Sequence, residues 1–272
     1  MKNNKMKIIV IFVVLIIYGA FVVILSYQNK DNNNSNNNNV NNEIPTEVEN
    51  NNYDILIVNN YSIWKFNNNE WKSINKLNNY NNKLNTYIDG NYFGKYYLKF
   101  INSWNIIDEN NNVINYNGKI FAHSNNLKID IINSNVDVTT EIELLEIQEI
   151  VGTYINANSL SVNERIVTDL DNDGLNDKII NVSNLDASDV QEKYFNLCYT
   201  ELNGNRIILF YNIVEEKNLL IEPVYNIQYV ININDNTYNN IILQRSYFSN
   251  NGETANEMYE YRDSKYLIAV KD

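Results

Sequence analysis

The hydrophobic pattern along the chain divides into two unlike regions. From Ile8 to Leu25 every residue is apolar apart from Tyr18 and Gly19, a run of 18 residues. As a helix this run spans about 27 Å, close to the hydrocarbon thickness of a bilayer. Beyond Asn52 the apolar residues come in short bursts that alternate with polar ones and are cut by Asn and Gly clusters. That is the pattern of half-buried strands joined by turns. It predicts strands over 53–58, 62–66, 70–74, 96–101, 112–116 and 119–123, and in the second half over 164–168, 178–183, 196–201, 206–214, 225–231, 241–247, 257–261 and 265–270. One segment carries helical signals: Thr139 and Thr140 are placed to cap 141–151, where Ile142, Leu145, Ile147 and Ile150 approximate a stripe. Leu144 falls outside that stripe, so a strand stays open as the alternative.

The expected fold class is therefore all-β, a β-meander with partial propeller-like repeats, one N-terminal transmembrane helix and at most one short helix. The chain divides into a cytoplasmic tip and anchor (1–27), an Asn-rich linker (28–52), a first β-rich subdomain (53–137) and a second (138–272). In the second, the order strand, polar loop, strand, hairpin occurs twice, with loops starting at Asp169 and Asn232, 232 − 169 = 63 residues apart. The spacing fits four-stranded units carrying insertions.

Charge sets the topology. Lys2, Lys5 and Lys7 precede the apolar run, and the acidic bulk follows it. By the positive-inside rule the N-terminus stays in the cytoplasm and the rest lies outside, at the cell membrane as a single-pass protein. A cleaved signal peptide is the alternative, but its apolar region is usually about 7–15 residues and ends in a small-x-small site. The end of this run, Leu25-Ser26-Tyr27-Gln28, offers none. The linker holds the runs Asn32 to Asn34 and Asn36 to Asn39 with almost nothing to bury, as expected of a flexible tether. Outside the first 30 residues the net charge is 17 − 33 = −16. Such a surface repels phosphate backbones, so no nucleic acid partner is expected, whereas divalent cations are suitable partners. The single cysteine, Cys198, excludes an intramolecular disulfide.

The most specific chemical signal is Asp169-Leu170-Asp171-Asn172-Asp173-Gly174-Leu175-Asn176-Asp177. Acids at positions 1, 3, 5 and 9 with glycine at 6 lay out an oxygen cage for Ca²⁺, to which the carbonyl of Leu175 adds a ligand. Position 12 is Ile180 rather than a bidentate Glu, and strand-like runs flank the loop, so this is no helix–loop–helix EF-hand. The element resembles the strand–loop–strand calcium loop of FG-GAP and VCBS-type β-propeller repeats. The resemblance implies Asp169, Asp171, Asp173 and Asp177 as side-chain ligands of a structural ion. The family's Phe-Gly and Gly-Ala-Pro signatures are absent. The alternative reading is an acidic Asx-type turn with no ion. In the second loop the same register falls on Asn232, Asn234, Asn236 and Asn240, which reads as a metal-free turn.

Enzyme signals are sparse. His123 is the one histidine and ends an apolar strand; Cys198 sits within another. Glu141, Glu143, Glu146 and Glu149 read as a solvated face, and Trp64, Trp71 and Trp104 as core rather than a sugar-stacking platform. The expected function is a membrane-anchored extracytoplasmic binding or envelope-interaction module, stabilised by structural calcium, with an extracellular protein or polysaccharide as partner. The alternatives are an envelope hydrolase using a carboxylate pair, or a structural subunit of a membrane assembly.

Overall fold

The computed structural model describes residues 53–272, apart from the stretches 60–61, 76, 78–79, 102, 133–134, 154–157, 161, 186–192, 215–221 and 248–253. These residues belong to one compact unit, Glu49–Asp272. The expected anchor over 8–25 and the linker over 28–52 lie outside the described residues. Among the described residues no helix is long and apolar enough to cross a membrane.

The first eight strands are β1 (Asp54–Val58), β2 (Ser62–Asn67), β3 (Glu70–Ser73), β4 (Leu84–Ile88), β5 (Asn91–Ile101), β6 (Ser103–Ile107), β7 (Val113–Ile114) and β8 (Ile120–His123). They form one antiparallel sheet in the order β3-β2-β1-β8-β4-β5-β6-β7. Then come β9 (Ile129–Ile131), β10 (Asn135–Asp137), helix α1 (Glu141–Val151) and the strands β11 (Val162–Thr168), β12 (Asp177–Ser183), β13 (Tyr194–Leu202) and β14 (Asn205–Val214). The chain ends on β15 (Pro223–Ile233), β16 (Asn240–Tyr247), β17 (Thr254–Arg262) and β18 (Lys265–Lys271). The molecule is all-β with one short helix, and its three sheets do not close.

In the second half two runs of four strands pair in the same order. β11 to β14 and β15 to β18 each run as consecutive antiparallel neighbours, and each set gains one strand from the preceding segment, β10 beside β11 and β9 beside β15. Across the first loop Thr168 pairs with Asp177, and across the second Ile231 pairs with Asn240. Both partners are displaced by the same amount, 231 − 168 and 240 − 177. Each unit also bulges before a tyrosine in its third strand, at Cys198/Tyr199 and at Met258/Tyr259.

Alternation of side chains sends each strand's residues into two different cores. From the β15–β18 sheet, Ile231, Ile233, Ile242, Met258 and Val270 meet Leu56, Val58, Trp64 and Phe121 of the first sheet. Its other face sends Ile227, Val230, Ile241, Leu243 and Tyr259 against Ile166, Ile179, Cys198 and Leu202. Beyond the β11–β14 sheet, Ile180, Val182, Leu197 and Tyr199 pack under Ile147 and Val151 of α1. The result is a stack of three sheets and a helix. Trp64, Trp71 and Trp104 are all buried in it.

Helix α1 starts as the cap residues predict: Thr140 accepts from the Glu143 N–H, and the Glu143 carboxylate accepts from the Thr140 N–H at 2.7 Å. Its buried face is not the expected one. Leu144, Ile147, Ile150 and Val151 face the sheet, whereas Ile142 and Leu145 are about two-thirds exposed, at 71% and 69%. The acids are not simply a solvated face either, because Glu143 is buried and ion-paired to Arg165 at 2.8 Å and Lys178 at 3.4 Å. That pairing and the capping bond turn the helix so that Glu143 points at the sheet. Burial pushes the Glu143 carboxyl up, but hydrogen bonds from Arg165 and Thr140 outweigh it and hold the pKa below the usual glutamate value. Replacing Glu143 with Ala should cost about 2 kcal/mol, less than a fully buried pair because Arg165 and Lys178 reach solvent. Since the folded-state pKa is depressed, this stability is present above the ordinary glutamate pKa and is lost as pH falls through the lower, folded value. Urea unfolding of wild type and Glu143→Ala at neutral and acid pH should show a gap that narrows on acidification.

Candidate metal centre

The loop between β11 and β12 is built to turn sharply. Asn172 and Gly174 adopt left-handed φ of 57° and 87°, the first being mirrored by Asp235 at 56° in the second loop. The carboxylates of Asp169, Asp171 and Asp177 converge, each offering an oxygen within 4.8 Å of the others. Oxygens bound to one Ca²⁺ at about 2.3–2.6 Å are at most about 5 Å apart, so the separation suits a shared cation. Asp171 and Asp177 are buried and Asp169 half-buried. Asp173 stays outside the group on the exposed rim, where its Oδ1 accepts from the Leu175 N–H at 2.7 Å. Leu175 itself is 67% exposed.

Backbone and amide donors orient each carboxylate. Asp169 accepts from the N–H groups of Asp173 at 3.2 Å and Gly174 at 2.9 Å. Asp177 accepts from Leu170 N–H at 2.8 Å and Asn203 N–H at 3.3 Å, and Asp171 accepts from Asn203 Nδ2 at 2.6 Å. Asx turns occur at Asp171 and Asp173, which accept from the Asp173 N–H at 3.3 Å and the Leu175 N–H at 2.7 Å, and a carboxylate oxygen that accepts one hydrogen bond keeps a second lone pair. The loop thus holds three convergent carboxylates that its own backbone and amide donors orient. Among the described residues no basic side chain pairs with any of the four aspartates; the adjacent Lys178 instead pairs with Glu143, Glu146 and Glu201. Two unit charges about 5 Å apart repel by roughly 3 kcal/mol at an effective dielectric of about 20. Burial pushes the Asp177 carboxyl above the usual aspartate value, and the negative charge of Asp171 and Asp173 adds to the rise against the hydrogen bonds from Leu170 and Asn203.

The second loop is the floor of the first. Asn239 is buried; its N–H donates to Leu170 O at 2.8 Å and its Nδ2 to Asp169 O at 2.7 Å. Asn172 Nδ2 returns the contact, donating to Thr237 O at 2.9 Å and Asn236 O at 3.2 Å. Asn232 Nδ2 holds Asn239 Oδ1 at 2.8 Å. Sequence reasoning missed Asn203 and Asn239. Asn203 falls in the gap between the strands expected over 196–201 and 206–214, and Asn239 lies one residue from Asn240 and is hidden among many asparagines.

The other candidates are placed apart from this loop. His123 is buried, with Nδ1 2.9 Å from the carbonyl oxygen of Ser124, while the Ser124 hydroxyl donates to Asp54 at 2.8 Å. Burial holds the imidazole below its ordinary pKa. Cys198 is fully buried, which pushes its thiol up. Compared with known protein families, with curated proteins and with solved structures, the chain has no significant match.

Replacing Asn239 with Ala removes its side-chain bonds to the Asp169 carbonyl and to Asn232, while its N–H still donates to Leu170 O. A loss of about 1–3 kcal/mol is expected. Thermal unfolding of Asn239→Ala beside the exposed control Asn205→Ala measures it; equal melting temperatures would show that the loop contact contributes nothing.

Proposed function

We propose that the chain is a membrane-anchored, extracytoplasmic binding module whose β-domain is stabilised by a calcium ion in the 169–177 loop. The observation that carries the metal reading is the convergence of Asp169, Asp171 and Asp177 within 4.8 Å of one another without a basic partner among the described residues. A divalent cation converts their mutual repulsion into attraction, and oxygen-only donors favour a hard ion such as Ca²⁺. Asp169, Asp171 and Asp177 supply the charged oxygens, and Leu175 and Asp173 on the rim complete the set. Asn203 acts behind them, orienting Asp171 and Asp177. The doubled strand–loop–strand units fit the propeller-type calcium element that the loop resembles, with the second copy carrying amides. The anchor rests on the apolar run from Ile8 to Leu25 and the lysines before it. The partner is an extracellular protein or polysaccharide.

Calcium binds the folded loop and scarcely binds the unfolded chain, so about 100 times the dissociation constant should stabilise the protein by roughly 2.7 kcal/mol. Thermal unfolding of the full chain in mild detergent, with calcium and with chelator, reads this directly. Paired Asp169→Asn and Asp171→Asn substitutions should abolish the shift while keeping the hydrogen-bond acceptors. Asp173→Asn, outside the converged group, should retain most of it. Equal melting temperatures for the wild type with calcium and with chelator would reject the metal site.

Topology is tested separately. Protease added to intact cells should degrade the chain beyond Tyr53 and leave the segment around 8–25 in the membrane; protection of the β-domain until the cells are opened would reverse the orientation.

A further inference from the structure

The charge of the domain is unevenly divided. Residues 53–137 hold 8 basic and 7 acidic side chains, a net of +1, whereas residues 138–272 hold 9 and 22, a net of −13. Within the first part, β5 concentrates lysine and tyrosine on one face. Leu98 and Tyr96 turn into the core beneath the first sheet, so Lys95, Tyr97 and Lys99 turn the other way. A bulge in the pairing with β4 places Tyr92 opposite Tyr87, on the same face as these three. Gly94, at φ +144°, lies against the Tyr96 ring, where a Cβ would stand 2.8 Å from it, so the bulge depends on glycine. The outer face of β5 therefore reads Tyr92, Lys95, Tyr97, Lys99.

This face is open at Tyr92, Lys95 and Lys99 and half-buried at Tyr97, and the charge of Lys95 and Lys99 has no ion-pair partner among the described residues. Lys95 and Lys99 are exposed, and Tyr92 is 59% exposed. Their cross-strand neighbours are neutral: Asn85 opposite Lys95, Ile107 opposite Tyr97, Asn105 opposite Lys99. A further ammonium, Lys83 Nζ, sits 5.7 Å from the centre of the Tyr97 ring and is tied to Glu109. Lys95 and Lys99 are four residues apart, so their stems are separated by about 13 Å along the strand.

We propose that this face of β5 is a docking surface for a linear anionic polysaccharide. The two lysines pair with acidic groups along the polymer, the exposed Tyr92 stacks on a sugar face beside Lys95, and the half-buried Tyr97 lies between the lysines. Charge complementarity selects this occupant: an acidic polymer is repelled by the second half of the domain and meets a strip of uncancelled positive charge here. The exposed Tyr92 ring offers a flat apolar face with a polar tip, matching a sugar ring's apolar face and hydroxyl rim. The proposal takes its partner class from the extracytoplasmic placement argued above and is independent of the metal loop.

The test titrates the full chain in mild detergent with sodium hyaluronate, a linear uronate polymer. Neutral dextran of matched length and oligothymidylate are the comparison polymers, and every titration is run in chelator. Hyaluronate should bind and dextran should not. The paired Lys95→Gln and Lys99→Gln substitutions should weaken binding about ten-fold or more and flatten its salt dependence. Tyr92→Ala should weaken binding with the salt dependence unchanged, and Lys265→Gln, an exposed lysine of the acidic half, should leave it intact. Equal binding of dextran, or unchanged affinity in the paired lysine variant, overturns the proposal; tighter binding of oligothymidylate overturns the polysaccharide as occupant. Because calcium is absent throughout, failure here leaves the metal reading standing, and failure of the calcium melting experiment leaves this one standing.

Discussion

The β15–β18 sheet is buried on both faces, and most of the remaining architecture follows from that constraint. A sheet with two apolar faces must be covered twice, once by the eight-stranded sheet through Leu56, Trp64 and Phe121 and once by β11–β14 through Ile166, Ile179 and Cys198. The run Ile241-Ile242-Leu243 shows the cause in one strand: adjacent apolar residues, not alternating ones, feed both cores. The segment that carries β9 and β10 makes the arrangement continuous, since β9 extends the central sheet and β10 the outer one. Stacking then fixes the two polar loops side by side, because they leave corresponding strands of neighbouring layers.

Much of this order was legible in the chain, and the misses have physical causes. Asn and Gly turns bounded the long strands of the second half, and the loop registers follow the 63-residue spacing. β4 was missed because Leu84-Asn85-Thr86-Tyr87-Ile88 sits among asparagines that blur its alternation. β9 and β10 are three residues each, too short to show a period, and they form only because longer strands receive them. The helix face was assigned from apolar spacing alone, but an ion pair to the neighbouring sheet outweighed two exposed apolar residues. For the candidate site, the four aspartates and the glycine were visible from spacing. The contact between loops was not, since it joins residues about 65 to 70 positions apart through backbone carbonyls.

Charge asymmetry between the two halves is written in the sequence, although the net charge of the whole averages it away. The strip on β5 depends on a bulge at Gly94 that brings Tyr92 into line with the lysines, and pairing register is not written in composition. The acidic half and the near-neutral half therefore present two different electrostatic surfaces on one small domain.

The contact between the two loops also limits what the second loop is able to become. Asn239 bridges to the backbone of Asp169 and Leu170, so carboxylates at Asn232, Asn234, Asn236 and Asn240 would stand beside an existing group of like charges. Two adjacent acidic loops would compete for cations and repel each other whenever either was bare. The two loops are complementary, the first carrying four aspartates and the second a single one, Asp235, paired with Lys128. The asparagines of the second loop are in this sense the electrostatic insulator that lets the first loop be acidic.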